Sequence, residues 1–346
     1  MTVGPLPNPL PLGERAPRAG PWWIDSVRGR LYRTLRPWLA PLYADRPRRV
    51  LWMGLFSVAV SFTLTLGAPL WLLALGPVLL GVPHLVADAR YLVVQPRLHE
   101  RGPLAVLAAL PLLATGFGAP AAISLLSLVP AVLVARASRA RKAVGLAAWA
   151  GLTAVAVQWE AGFLLAFLHL HNLIALGWWW ALRPRTRQAA LVPLAVLAGT
   201  AFLLAGGAEP ILTALGAWQA PGSGTSSNEF VDTAAPGLGA TAALRLVLSF
   251  AFLQSVHYAL WLRLVPEDAR ARPAPRPFRA TWDALEHDFG RPLLVVFAGL
   301  ALVIAIWGVR DLAAARWGYL RLAAFHGYLE LAVAALFLVE WKRPAC

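Results

Sequence analysis

The chain of 346 residues contains one cysteine, Cys346, which is its last residue. No intrachain disulfide can form, and thiolate ligation or thiol catalysis within a core is excluded. Charge is scarce too: 14% of residues are charged, where a soluble domain carries nearer a quarter. With 59% apolar residues and a mean hydropathy of +0.61, the chain has more hydrocarbon than one soluble core can hide. Its apolar runs reach twenty residues with few charges, enough to cross a bilayer as helices. The sequence therefore reads as an all-α polytopic integral membrane bundle.

Acidic residues are also few, 17 against 31 Lys and Arg, for a net charge of +14. The position of that charge argues against nucleic acid as a partner. Arg15, Arg18, Arg28, Arg30, Arg33, Arg36, Arg46, Arg48 and Arg49 precede the first apolar run. Basic charge beside a membrane segment fixes topology and attracts anionic lipid. The opening residues lack a short apolar core with a small-residue cleavage site, so no cleavable signal is expected.

Residues 1–21 hold six prolines and little to bury, the composition of a disordered tail. Over residues 22–46, Ile24, Val27, Leu31, Leu35, Trp38, Leu39 and Leu42 recur at helical spacing between arginines, as in a helix lying on a membrane surface. Residues 50–341 then form a single transmembrane domain. About ten spans are expected, at 50–67, 69–92, 103–117, 119–136, 143–159, 160–182, 188–206, 239–264, 291–308 and 319–340. Arginines gather in alternate connections, while 207–238 holds Glu209, Glu229 and Asp232 with no Lys or Arg. That alternation places both termini in the cytoplasm and the chain in the inner (cytoplasmic) membrane as a multi-pass protein. The connection 309–318, with Arg310 and Arg316, departs from the pattern. Trp178, Trp179 and Trp180 end the sixth span, where interfacial anchors belong.

Of seven histidines, five fall within the expected spans: His84, His169, His171, His257 and His326. They occupy the second, sixth, eighth and tenth spans, which all run in the same direction. His84 has Asp88 four residues on, and His326 has Glu330 at the same spacing, so each pair shares a helix face. Glu160 lies three turns from His171, too far to touch it along the helix. His169 and His171 point to opposite sides, so only one is expected to face a shared interior. Asn172 shares the face of His169, and Gln254 stands three before His257. At about 1.5 Å rise per residue the histidine positions spread over roughly 10–15 Å of the membrane normal. Pro83, beside Gly81, removes a backbone donor and is expected to bend the helix just before His84.

An ionisable group at membrane depth costs about 2.5–3.5 kcal/mol on insertion scales and usually faces a functional interior. Neutral imidazole is a common ligand of iron, copper and zinc, and imidazoles with carboxylates suit non-haem iron. The candidate metal ligands are thus His84, His169, His171, His257 and His326, with Asp88 and Glu330 as catalytic acids, ligands or hydrogen-bond partners. Paired histidines holding a b-type haem for electron transfer, and a transporter or scaffold built on His–acid pairs, are the competing readings.

The stretch "GVPHLVADARY" (residues 81–91) resembles the GxPHGxxDH-type motif of the Brp/Blh family of membrane β-carotene 15,15′-dioxygenases. Gly81, Pro83, His84 and Asp88 match, while Leu85 and Ala89 replace the family's glycine and second histidine. The family's later histidine pair at i, i+4 has no counterpart here. The resemblance implies an iron (Fe2+) oxygenase acting on an apolar polyene or lipid that enters from the bilayer. It also implies His84, His257, His326 and one of His169 and His171 as the metal set.

Overall fold

The computed structural model describes residues 23–27, 29–31, 33–34, 45–182, 186–221, 226–270 and 277–340. The expected tail at 1–21 and the stretch 35–44 of the expected surface helix lie outside them. Every regular element among the described residues is helical. Eight helices are long and apolar enough to cross a membrane. In chain order these and the shorter helices are α1 Arg46–Gly67, α2 Pro69–Val94, α3 Gly102–Gly116, α4 Ala121–Val134, α5 Arg139–Gln158, α6 Glu160–Leu182 and α7 Arg187–Leu204. They continue as α8 Glu209–Leu215, α9 Ser227–Ala234, α10 Ala240–Asp268, α11 Phe278–Phe289, α12 Arg291–Arg310, α13 Leu312–Ala323 and α14 Phe325–Glu340.

The third and fourth expected spans are helical within two residues of the expected bounds, but both are short. α3 has 15 residues, about 22 Å at helical rise against a hydrocarbon core of about 30 Å. α4 is made of two pieces, Ala121–Leu125 and Leu128–Val134. The turn between α3 and α4 uses Gly118 at φ 86°, a left-handed conformation that glycine adopts without steric cost. The two form a short hairpin packed on α14.

α10 is the axis of the bundle. Buried residues make up 67% of its apolar window, against 6% for α5 and 11% for α12. The outer two present leucine and valine to their surroundings, as lipid-facing helices do. α10 packs on α1, α2, α6, α7 and α9, and α14 packs on both α2 and α6. The helices carrying the intramembrane histidines therefore form a closed ring.

Arginines also lock helix ends. Arg49 donates from Nε and Nη2 to Glu267 Oε1 at 2.9 and 2.6 Å, and Arg270 Nη1 donates to Glu267 Oε2 at 2.7 Å. Arg90 pairs with Asp288 at 2.7 Å, joining α2 to α11. The N-terminal helical stretch docks on the same region. The Asp25 carboxylate accepts the Phe278 and Arg279 backbone N–H groups at 2.8 and 3.1 Å, capping α11. Trp23, Val27 and Leu31 remain exposed, the apolar face expected of a surface helix.

Candidate metal centre

Four of the five intramembrane histidines converge. Ring centroids of His84 lie 5.2 Å from His257 and 4.9 Å from His326, and those of His257 and His326 are 5.7 Å apart. His171 closes the group at 5.3 Å from His257 and 5.2 Å from His326. One ligand atom from each of His84, His257 and His326 lies within 4.8 Å of the others. The axial spread estimated from the sequence is thus overcome. His169 does not join the set. Its Nε2 meets the Ala234 carbonyl at 2.8 Å, and its ring packs on Phe250 at 5.4 Å. It fastens the end of α9 to α6 and is not a candidate ligand of this centre.

Local helix geometry explains the convergence. α2 remains helical through Pro77 and Pro83, and the departure from α-helical hydrogen bonding comes after Asp88, as a π-helical turn over Ala89–Val94. α10 has the same device at Leu260–Leu264, three residues after His257. Such π turns cluster at functional sites because they re-aim side chains without ending the helix. α13 and α14 break at Ala324, two residues before His326. Three of the four helices that carry these histidines are therefore irregular within a turn or so of the site. No residue pattern announces a π turn, so neither turn was legible from the residues.

The hydrogen bonds set the tautomers. His84 Nδ1 is 2.8 Å from the Gly81 carbonyl, His171 Nδ1 is 3.2 Å from the Phe167 carbonyl, and His326 Nδ1 bonds the Ala323 carbonyl. A carbonyl only accepts, so each Nδ1 carries the hydrogen and each Nε2 keeps its lone pair. That is the arrangement of an imidazole prepared for ligation, with the far nitrogen held by the protein. His257 has no hydrogen bond at either ring nitrogen although the residue is 1% exposed.

The acids lie within the same group. Asp88 Oδ2 stands 3.5 Å from His84 Nε2, and both residues are 1% exposed. Glu330 is fully buried, and its Oε1 accepts Trp261 Nε1–H at 2.9 Å. The two carboxyl groups are near enough to interact electrostatically. Glu160, whose role the sequence left open, is used elsewhere: its Oε1 accepts the Ala121 N–H at 3.1 Å and caps α4.

Six buried polar atoms at this one place make no hydrogen bond: His84 Nε2, both Asp88 oxygens, both His257 nitrogens and Glu330 Oε2. At about 1–3 kcal/mol per unsatisfied buried group, their joint cost is on the order of 10 kcal/mol. An ion that accepts their lone pairs would offset that cost. The geometry fits the test. With metal–nitrogen bonds of about 2.1 Å and a ring centroid about 1.2 Å further out, imidazoles at about 100–125° have centroids about 5–5.7 Å apart. The His84–His257 and His257–His326 separations lie in this range and the His84–His326 separation, 4.9 Å, lies just below it, while the ligand atoms, within 4.8 Å of one another, would close to about 3.5 Å around an ion. Soft thiolate chemistry is excluded, since cysteine contributes nothing to the spans.

Glycine makes the close packing possible at two points. The Tyr319 ring occupies the place a Gly81 Cβ would take, and a Cβ on Gly327 would meet Phe167 at 3.1 Å and the His171 Cβ at 3.6 Å. Tyr319 and Tyr258, buried beside His84, and Trp261, bonded to Glu330, are site residues that sequence reasoning missed. Tyr319 lies seven residues before His326, two turns on one face, which was the available signal.

Fold and site together define an all-helical protein with eight helices long and apolar enough for a membrane, enclosing a histidine–carboxylate cluster. Compared with family models, with characterised proteins and with solved structures, the chain matches none.

Proposed function

We propose that this protein is a membrane-embedded oxidoreductase whose histidines hold a single non-haem metal ion, iron(II) by the chemistry of the ligands. Its substrate is then an apolar polyene or lipid that reaches the centre from the bilayer. The observation that carries the reading is the group of six buried, unbonded donor and acceptor atoms on His84, Asp88, His257 and Glu330. A helix bundle has no reason to assemble them without a ligand they share. A nitrogen- and oxygen-rich set without sulfur suits Fe(II), which supplies dioxygen activation when bound. His84, His257 and His326 are the ligands, His171 is adjacent to them, and Asp88 and Glu330 complete or support the set. The motif "GVPHLVADARY" supports the same assignment through its likeness to Brp/Blh-type dioxygenases.

The contacts favour a bare ion over haem. Axial imidazoles stand on opposite faces of a macrocycle, whereas these four rings touch one another edge to face. A proton relay would bond member to member, but the His84–Asp88 pair, at 3.5 Å, closes no hydrogen bond. The test is purification in mild detergent followed by elemental analysis and a visible spectrum. Near-stoichiometric iron without a haem band is expected, and single His84→Ala, His257→Ala and His326→Ala changes should each remove it. An intense haem band, or metal retained in all three variants, overturns the assignment.

A further inference from the structure

His84 differs from its neighbours in how it is held. Its Nδ1 lies 2.8 Å from the Gly81 carbonyl and 3.1 Å from the Tyr319 hydroxyl oxygen. Because the carbonyl fixes the hydrogen on Nδ1, Tyr319 can only accept the second branch of that bond. The hydrogen of Tyr319 is then free to be donated, and the hydroxyl it meets is that of Tyr258. Tyr258 in turn packs its ring against His84 at 4.9 Å, edge to face. Both tyrosines are nearly inaccessible, 1% and 4% exposed. Arg316, 3% exposed, is near enough to Tyr258 to interact with it electrostatically.

A scaffold needs no hydroxyl here. Phenylalanine would fill the same volume without burying two phenolic oxygens beside an imidazole. The approach also demands glycine at 81, since the Tyr319 ring sits where a side chain would begin. Three helices, α2, α10 and α13, thus join to hold one imidazole edge on the side opposite its lone pair. His171 is held only by a carbonyl of its own helix and His326 only by the carbonyl of Ala323 at the end of α13, and His257 by none.

We propose that Tyr319 is a positioning residue of the metal centre, holding the His84 ring through Nδ1 so that Nε2 faces the ion, and that Tyr258 orients Tyr319. This rests on the metal reading above. Partners that orient a metal-bound imidazole are worth about 10–100-fold in metal affinity when removed. The experiment uses full-length protein in detergent with Co2+ as a spectroscopic probe, alongside 15N-histidine NMR of the metal-free protein. Tyr319→Phe should weaken Co2+ binding by about 10–100-fold, displace the cobalt visible bands and move the His84 Nδ1–H resonance, with an unchanged melting midpoint. Gly81→Ala, which drives the ring away with its hydroxyl intact, should weaken Co2+ binding and move the same signals, but with a lowered midpoint because the added Cβ falls on the ring, and Tyr258→Phe should weaken binding in the same direction. If Tyr319→Phe does not fold, Tyr258→Phe alone decides, since it leaves Tyr319 in place. Wild-type affinity and bands in the Phe variants overturn the proposal. Failure of the wild type to bind Co2+ removes the metal reading and this role with it. An NMR change in Tyr319→Phe would then mark a packing contact only, which tells the two failures apart.

Discussion

The sharpest consequence of the orphaned atoms concerns His257, whose replacement should have opposite effects with and without metal. Its two ring nitrogens are buried and bonded to nothing, so without an ion the side chain is a liability. Replacing it by leucine, an apolar group of similar volume, removes two unsatisfied polar atoms at about 1–3 kcal/mol each. Part of that gain is lost to imperfect packing, which costs under about 1.5 kcal/mol for a shape-similar swap. In chelator, His257→Leu should therefore be as stable as the wild type or about 1–3 kcal/mol more stable. With free metal at about 100 times its dissociation constant, the wild type should gain about 2.7 kcal/mol and the variant nothing. The assay is the denaturation midpoint in mild detergent, measured anaerobically with chelator and with Fe2+. A chelated variant destabilised by about 2 kcal/mol or more, the cost of a cavity or a lost private hydrogen bond, would refute the reasoning. So would equal stabilisation of both proteins by metal.

Other expectations follow from the same contacts. Glu267→Gln strips the carboxylate shared by Arg49 and Arg270, all at the arginine-rich face, and should destabilise by about 1.5–3 kcal/mol, the worth of a hydrogen bond to a charged group. The Arg49→Met/Glu267→Met double variant should lose less than Glu267→Gln, measured by the same midpoint. His169→Ala should leave metal content unchanged while releasing the Ala234 carbonyl. Amide exchange over α9 should then rise, consistent with loss of about 1 kcal/mol for one neutral hydrogen bond.

Much of this arrangement was legible in the residues, and what escaped did so for identifiable reasons. Apolar runs of twenty residues have one solution in lipid, a helix, because only intrahelical bonds satisfy the backbone there. That is why α1, α2, α5, α6, α7, α10 and α12 fall where the hydropathy put them, whereas the last expected span, 319–340, begins earlier, at Leu312, and is broken at Ala324. The four-residue spacings of His84–Asp88 and His326–Glu330 follow from helical periodicity alone, as does the divergence of His171 from His169. α3 and α4 lie within two residues of the expected 103–117 and 119–136, and what hydropathy left out is the break of α4 between Leu125 and Leu128. The π turns after Asp88 and His257 escaped because a one-residue change in hydrogen-bond register has no side-chain signature. Tyr258, Tyr319 and Trp261 escaped for a different reason: buried aromatics at helical spacing read as core until the partner of each polar tip is known.

The central claim is that imidazoles of α2, α10 and α14 surround one ion. X-ray absorption at the edge of the bound metal tests it most directly, because outer-shell scattering counts coordinated imidazole rings. Three or four imidazoles at about 2.0–2.1 Å, with oxygen completing the shell, is the predicted spectrum, reduced by one ring in His84→Ala that retains any metal. A shell of oxygen alone, a porphyrin pattern, or no stoichiometric metal in the full-length protein would contradict it.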